Sequence, residues 1–277
     1  MDAVIPEIPA EDLESIRKLL AERTGFLLDG YKDKCIKRRI NIRIRATHST
    51  TAAAYCRLLV RDERELAQLH KVLTIHVSHF FRNPSMFLKL QAEILPALFA
   101  KAAETGKAGF TVWSVGCSSG EEPYSVALLL KEHFAACVAH NPVRIIASDI
   151  NQEILDTARR GIYGTERLVE VDQGLLNRYF KPINGKYELS PEIRNMVTFS
   201  RGDLFNSGDF PICDLILCRN VLIYFERSRQ ERILDGFATS LAGGGFLVLG
   251  KSETLVGDAR KKLQTVCPVE RIYRALC

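Results

Sequence analysis

Between residues 109 and 250 the chain repeats one unit: a strand-length apolar run, a short loop, then a helical stretch. FTVWSVG precedes EPYSVALLLKEHFAA, VRIIASDI precedes NQEILDTARRG, CDLILCRN precedes SRQERILDGFATSLAGGG, and GFLVLG closes the series. The runs are apolar at nearly every position rather than at alternate ones, so they are buried on both faces. Strands of that kind belong to parallel sheets, whose crossover connections cover both faces with helices. The expected fold class is therefore α/β, with a doubly wound, Rossmann-like sheet. VERIYRAL, close to the end, alternates instead and reads as a final antiparallel strand. Between the second and third apolar runs, RYFKPINGKYELSPEIRNMVTF holds two β-like runs around Asn184-Gly185, a hairpin signal. A small β-subdomain is expected there, inserted at about 177–201.

The first third of the chain has a different period. In EDLESIRKLLAERTG, Leu13, Ile16, Leu19 and Leu20 share a helix face and Gly25 suits a C-cap. Ile36, Ile40 and Ile44 recur every four residues, and TAAAYCRLLV and ERELAQLHKVLTIH continue the helical pattern. We expect an N-terminal helical domain over residues 1–85 and the α/β domain over 86–277. Such a division fits a chain of 277 residues, 47% of them apolar. No apolar run approaches the length of a membrane span. The acidic start, MDAVIPEIPAEDLESIRKLL, lacks a basic segment followed by an apolar core, so no secretory signal is read and a cytoplasmic location is expected. The eight cysteines form no C-x-x-C pair and read as reduced thiols. His70, His76 and His79 lack metal-ligand spacing, and no metal is expected.

The net charge of +5 is concentrated. YKDKCIKRRINIRIR, residues 31–45, carries seven basic residues against one acid, more than the excess of the whole chain. The remainder is close to neutral, so the charge marks a local surface for an anionic partner.

Ligands of a doubly wound sheet bind beyond the carboxyl ends of its strands, where the strand order reverses. Three segments meet that description: Gly116-Cys117-Ser118-Ser119-Gly120 after the first strand, Asp149 at the end of the second, and Arg219-Asn220 after a later one. An acid at the end of the second strand suits two ribose hydroxyls, and Asn151 is available to cap the following helix in its place. The loop spacing, G-x-x-x-G, is weak evidence by itself. The two glutamates that follow it, Glu121 and Glu122, decide the ligand class. A pyrophosphate would rest on that helix N-terminus, and a carboxylate about 4 Å away repels it by roughly 1 kcal/mol in water and several times more when half-buried. A nucleoside carrying positive charge is favoured instead. S-Adenosylmethionine has ribose and adenine, no phosphate, and both a sulfonium and an ammonium group. Either glutamate can serve it, the other favouring the helix dipole.

Four segments, SHFFRNP (78–84), WSVGCSSGEEPYS (113–125), ASDIN (147–151) and LCRNVLIYF (217–225), closely resemble the CheR-type chemotaxis receptor methyltransferases in sequence, order and spacing. The resemblance implies an N-terminal helical receptor-docking domain and a methyltransferase domain with an inserted β-subdomain. It implies methylation of glutamate side chains on the cytoplasmic helices of chemoreceptors, with S-adenosyl-L-methionine converted to S-adenosyl-L-homocysteine. By the same resemblance the cofactor is held by His76, Ser78, Arg82, Glu122, Asp149, Asp203, Leu204, Arg219 and Asn220. Asp203 and Leu204 lie beside the adenine; of the two catalytic residues, Arg82 orients the incoming carboxylate or that of the cofactor, and Tyr224 lies near the transferring methyl. Arg39, Arg43 and Arg45 dock the acidic receptor helices. The sequence departs from the family pattern at three cofactor positions. Ser78 replaces threonine and keeps the hydroxyl, His76 replaces asparagine, and Asp203 replaces asparagine and loses an amide donor. Ile42 stands at a family arginine position in the basic helix. The hairpin at Asn184-Gly185 is short beside those of members that capture a peptide at the receptor C-terminus, so no such tether is expected. The expected partner is the cytoplasmic domain of a chemoreceptor, with no nucleic acid, no membrane insertion and a monomeric enzyme.

Methyl transfer to a carboxylate needs no general base, because a glutamate with a reference pKa near 4.3 is already ionised at neutral pH. That accords with motifs holding no His/Asp dyad and no nucleophile–base pair. A nucleic-acid methyltransferase would share the cofactor, but RNVLIYF is not an N-P-P-[YF]-like motif and the basic helix has no interleaved aromatics for stacking. A nicotinamide dehydrogenase is disfavoured by the glutamates. A non-catalytic adaptor that binds S-adenosylmethionine is the remaining alternative.

Overall fold

The computed structural model describes residues 7–74 and 78–276. The chain forms two compact units, one of residues 1–75 with 224–228, the other of residues 76–223 with 229–277.

The first unit is helical: α1 (Ala10–Thr24), α2 (Asp33–Ala46), α3 (Ala52–Arg61) and α4 (Glu63–Leu73). Leu13, Ile16 and Leu20 of α1 and Ile36, Ile40 and Ile44 of α2 are buried, as their spacing requires. Gly25 ends α1 in the left-handed region at φ 69°, with its N–H on the Ala21 carbonyl. Thr51 caps α3 by accepting from the Ala54 amide, and Asp62 caps α4 by accepting from the Arg64 and Glu65 amides. A bridge between Tyr31 and Phe225 joins the late segment to this unit, with the two rings edge to face at 4.7 Å.

The second unit begins with α5 (Pro84–Lys89), which runs through a π-helical turn at Leu90–Ile94 into α6 (Leu95–Thr105). Its strands and helices then alternate: β1 (Phe110–Val115), α7 (Glu121–His133), α8 (Ala135–His140), β2 (Val143–Asp149), α9 (Gln152–Arg160), β3 (Ile162–Tyr163), α10 (Gln173–Tyr179), β4 (Phe180–Ile183), β5 (Lys186–Leu189), α11 (Pro191–Arg194), β6 (Val197–Arg201), β7 (Cys213–Cys218), α12 (Arg227–Ser240), β8 (Leu241–Leu249), α13 (Ala259–Lys262), β9 (Leu263–Cys267) and β10 (Ile272–Ala275). The main sheet has seven strands in the order β6-β2-β1-β7-β8-β10-β9. Its first five are mutually parallel, and β10 enters antiparallel between β8 and β9. β1 is central. The chain leaves it for β2 on one side and later returns to β7 on the other, so the order reverses at the carboxyl end of β1.

Three boundaries differ from the sequence expectation. The division between units falls at residue 75/76 rather than 85, because Phe80 and Phe81 belong to the core of the second unit. The Phe80 ring meets Tyr163 at 4.9 Å and Phe180 at 5.2 Å, and Phe81 meets Phe87 at 5.2 Å. The small sheet, ordered β3-β5-β4, starts at Ile162 and ends at Leu189 rather than occupying 177–201. Residues 197–201 belong to the main sheet instead, as β6 pairs parallel with β2. The hairpin itself stands where it was read, with Asn184 and Gly185 at φ 46° and 73° and Ile183 opposite Lys186.

Candidate active site

The glycine loop turns on three positive-φ residues: Gly116 at 63°, Ser118 at 53° and Gly120 at 91°. A Cβ on Gly116 would come within 2.5 Å of the Val221 side chain, and one on Gly120 within 2.9–3.1 Å of Tyr124, Ala158 and Phe199. Glycine is thus required twice over, for the backbone angle and for the close packing. Asp149 fastens this loop to the end of β2. One carboxylate oxygen accepts from the Ser118 amide and the other from the Asn151 amide, each at 3.0 Å. Helix α9 is capped by Asn151, whose side chain accepts from the Ile154 amide. Asp149 is therefore released from capping. Its burial raises its pKa, and the backbone donors pull it partly back.

The two glutamates occupy different environments. Glu121 is fully buried (0% exposed). It accepts from the Ser119 hydroxyl at 2.6 Å and pairs with Arg167 at 3.3 Å. Its second oxygen has no hydrogen-bond partner. Burial raises its pKa, opposed by the Ser119 and backbone hydrogen bonds and by Arg167. The Glu122 side chain is 13% exposed. It accepts from the Ser114 hydroxyl at 2.8 Å and from Arg219 at 3.1 Å. Arg219 also donates, at 2.6 Å each, to the Arg82 carbonyl and the Asn83 side chain. One network therefore ties the ends of β1 and β7 to the 78–84 stretch. It brings Glu122, Arg219 and the backbone of Arg82 together.

Of the other expected cofactor residues, Asp203, Leu204 and Asn220 lie beyond the carboxyl ends of strands of the main sheet. Gly202 donates to the Asp149 carbonyl at 3.1 Å, which sets Asp203 and Leu204 just beyond the end of β2. One Asp203 carboxylate oxygen accepts from the Phe205 amide at 2.9 Å and closes that turn. Asn220 takes φ 61°. His76 lies outside the described residues.

Two anchors carry no signal in a linear reading. Glu253, buried beyond β8, accepts four backbone amides: Asn220 at 2.9 Å, Gly250 at 2.6 Å, Val221 at 2.9 Å and Leu222 at 2.7 Å. A single carboxylate thereby shapes the whole turn after β7, although its burial raises its pKa. Arg167 is the second. Its position in the GTERL segment suggests a solvated turn, yet it pairs with Glu121.

The donor set fits the group suggested by the sequence. Carboxylates line the loop where a phosphate ligand would need cations or free amides, and Asp149 stands at the carboxyl end of β2. Comparison with protein families agrees over both units. Residues 76–270 match the CheR methyltransferase SAM-binding domain, and residues 11–74 match the CheR methyltransferase all-alpha domain. The chain belongs to the CheR methyltransferase family. Its cofactor is S-adenosylmethionine. Among relatives, a chemotaxis protein methyltransferase of Borreliella burgdorferi is 30% identical over 267 residues, 94% of this chain and 93% of that protein. One of Listeria innocua is 32% identical over 263 residues, covering 95% and 97%. A 104.1 kDa uncharacterized protein of Rhodobacter capsulatus is 33% identical over 268 residues, and there the chain spans 97% of itself but 28% of the relative.

The basic helix requires a correction. Arg39 and Arg43 were expected to face the receptor, and both are committed inside the helical unit. Arg39 is 4% exposed, donates to the Val72 and Leu73 carbonyls, and stacks on the Tyr224 ring with 4.8 Å to its centroid. Arg43 forms a two-pronged pair with buried Glu65, at 3.0 and 2.6 Å, and Tyr55 donates to the same carboxylate at 2.7 Å. Each arginine sits one position before a buried isoleucine, so its side chain borders the buried stripe. Arg45 is exposed. Tyr224 groups with the helical unit, where its ring contacts Arg39 and its carbonyl accepts from the Lys32 amide.

Proposed function

We propose that the protein methylates glutamate side-chain carboxylates on the cytoplasmic helices of chemoreceptors, forming methyl esters for sensory adaptation. The observation that carries this reading is the acidic lining of the glycine loop in a chain of this family. Bound S-adenosylmethionine supplies an electrophilic methyl on a sulfonium. One carboxylate oxygen of the receptor glutamate forms the new O–CH3 bond as the S–CH3 bond breaks, and the bonding pair stays on sulfur. Charge is neutralised in this step and no proton moves, so the chain needs no general base. Its work is positioning, for which well-oriented reactants gain on the order of 7 kcal/mol or more.

In this reading Glu122 receives the ammonium end of the cofactor, with Arg219 and Ser114 fixing its two oxygens. Asp149 receives the ribose, and Asp203 and Leu204 border the adenine. Ser78 and Asn220 complete the enclosure. Arg82 orients a carboxylate, either the incoming glutamate or that of the cofactor. Receptor docking falls to the outward face of α2. Lys34, Arg38, Ile42 and Arg45 are exposed there at spacings of four, four and three, and Ile42, 52% exposed, gives the basic stripe an apolar centre. Acidic receptor helices match such a surface in charge.

The test is incubation with methyl-labelled S-adenosylmethionine and receptor cytoplasmic fragments, followed by mild base. A methyl ester releases labelled methanol and an N-methyl group does not. Base-stable label, or label transferred to nucleic acid, overturns the proposal. Cofactor binding without transfer to any receptor favours an adaptor.

A further inference from the structure

Arg167 lies in the turn that follows β3, at the base of the small sheet. It bridges two stretches that the proposed function assigns to the cofactor. Its guanidinium pairs with Glu121, the residue that opens α7 from the glycine loop, and donates to the carbonyl of Ser78. Its own carbonyl accepts from the Phe80 amide at 2.9 Å. Neighbouring contacts follow the same route. Tyr163 of β3 donates from its hydroxyl to the Ser119 carbonyl at 2.7 Å, and the Phe80 ring lies edge-on to Tyr163 and Phe180. The small sheet is thus bonded both to the glycine loop and to the 78–82 stretch.

We propose that Arg167 is a positioning residue of the methyltransferase site, holding Ser78 and Arg82 in register with the glycine loop by bridging Glu121 to the Ser78 carbonyl. The physical basis is charge. A fully buried carboxylate with one unpartnered oxygen is tolerated when a cation stands beside it, and removing that cation leaves the charge uncompensated. The loop must then shift, or Glu121 must take up a proton. Either change moves the backbone that carries Ser78 and Arg82. This rests on the assignment of that stretch to the cofactor.

The titratable and charged groups facing Glu121 are Arg167 from the turn after β3, Tyr163 from β3 and Cys117 from the glycine loop. Burial pushes both Tyr163 and Cys117 well above their ordinary values, so neither titrates between pH 6 and about 8.5. His79, next to Ser78, is held below its ordinary value by burial and by neighbouring cations that include Arg167, so loss of Arg167 moves it towards this window as well. A double variant that also replaces Glu121 keeps His79, so a pH dependence that vanishes there belongs to Glu121.

The experiment measures the dissociation constant of S-adenosylhomocysteine by calorimetry from pH 6 to 8.5 for wild type, Arg167→Met, Arg167→Lys and the double variant Arg167→Met/Glu121→Gln. Circular dichroism checks the fold of each. For Arg167→Met we expect binding about tenfold weaker at the alkaline end, recovering towards pH 6 as Glu121 becomes neutral. The double variant should show a flat profile. Lysine restores the charge without the fork, so Arg167→Lys should bind more weakly than wild type but with the wild-type pH profile. Arg167→Met binding within about twofold of wild type across the range, or weakening by one constant factor at every pH, overturns the proposal. If Arg167→Met does not fold, Arg167→Lys decides, and wild-type affinity there overturns it. Wild-type protein that fails to bind S-adenosylhomocysteine would instead sink the cofactor assignments themselves.

Discussion

Replacing Glu253 by glutamine changes one atom and removes half of a four-amide anchor. In the wild type, one carboxylate oxygen accepts from Val221 and Leu222 and the other from Asn220 and Gly250. A glutamine offers one acceptor oxygen. Whichever way its amide turns, an NH2 group faces two backbone N–H groups that have lost their acceptor. A buried, unsatisfied donor costs about 1–3 kcal/mol, so the pair costs about 2–6 kcal/mol. Relief of the buried charge, whose pKa is already raised by desolvation, offsets part of this, leaving about 2–4 kcal/mol. At about 2–4 °C per kcal/mol for a domain of this size, the thermal midpoint should fall by roughly 5–15 °C. The turn that relaxes carries Arg219 and Asn220, so affinity for S-adenosylhomocysteine should fall as well. Urea denaturation with calorimetry of the folded variant reads both quantities. A stability change below about 0.5 kcal/mol, the scatter expected of neutral surface changes, together with wild-type affinity, would refute the account of Glu253 as the anchor of this turn.

Gly120→Ala should lower stability by about 1–3 kcal/mol, from strain at φ 91° and from overpacking against Tyr124, Ala158 and Phe199; a chemical denaturation midpoint matching wild type would count against the packing described. Arg43→Glu would place a second carboxylate against buried Glu65 and should unfold the helical unit, whereas Lys34→Glu with Arg38→Glu should leave the melting curve unchanged and weaken receptor binding in a salt-dependent way. Retention of full receptor affinity by the second pair would remove α2 as the docking face. Asp149, Glu121 and Glu253 all have raised pKa values in the folded state. Their contribution to stability is fully present below the ordinary carboxylate range and is lost as pH rises through the raised values. The slope of unfolding free energy against pH above that range should therefore be less negative in Glu121→Gln than in wild type, and an unchanged slope in a pH series of urea melts would exclude Glu121 as a contributor.

The legible parts of the fold were those whose residues are buried on both faces. β7 is buried at every position from Cys213 to Cys218, and its sequence shows it directly. β6 and β3 lacked that signature. β6 is an edge strand, largely exposed beyond Val197, and β3 is two residues long. Their omission displaced the small sheet towards the C-terminus. In the site, the place of Asp149 was legible because it ends a buried strand. The roles of Glu253 and Arg167 depend on partners far away in sequence, more than thirty residues from Glu253 to the turn it anchors and nearly ninety from Arg167 to Ser78. No local pattern encodes such contacts. The basic helix failed for a geometric reason. Charge was visible in the sequence, but a rotation of 100° per residue puts Arg39 and Arg43 beside the buried Ile40 and Ile44, and length lets their heads reach interior acceptors.

The five residues Tyr224–Ser228 lie far along the sequence, yet they complete the helical unit through the Tyr31–Phe225 bridge and the Arg39–Tyr224 stack. This limits how this chain can exchange its helical unit by recombination. A crossover near residue 75 would graft a new helical unit onto a segment shaped for the old one, and Arg39 would lose the aromatic face it rests on. On the proposed docking through α2, specificity is therefore more readily altered by point changes at Lys34, Arg38, Ile42 and Arg45 than by swapping the helices wholesale.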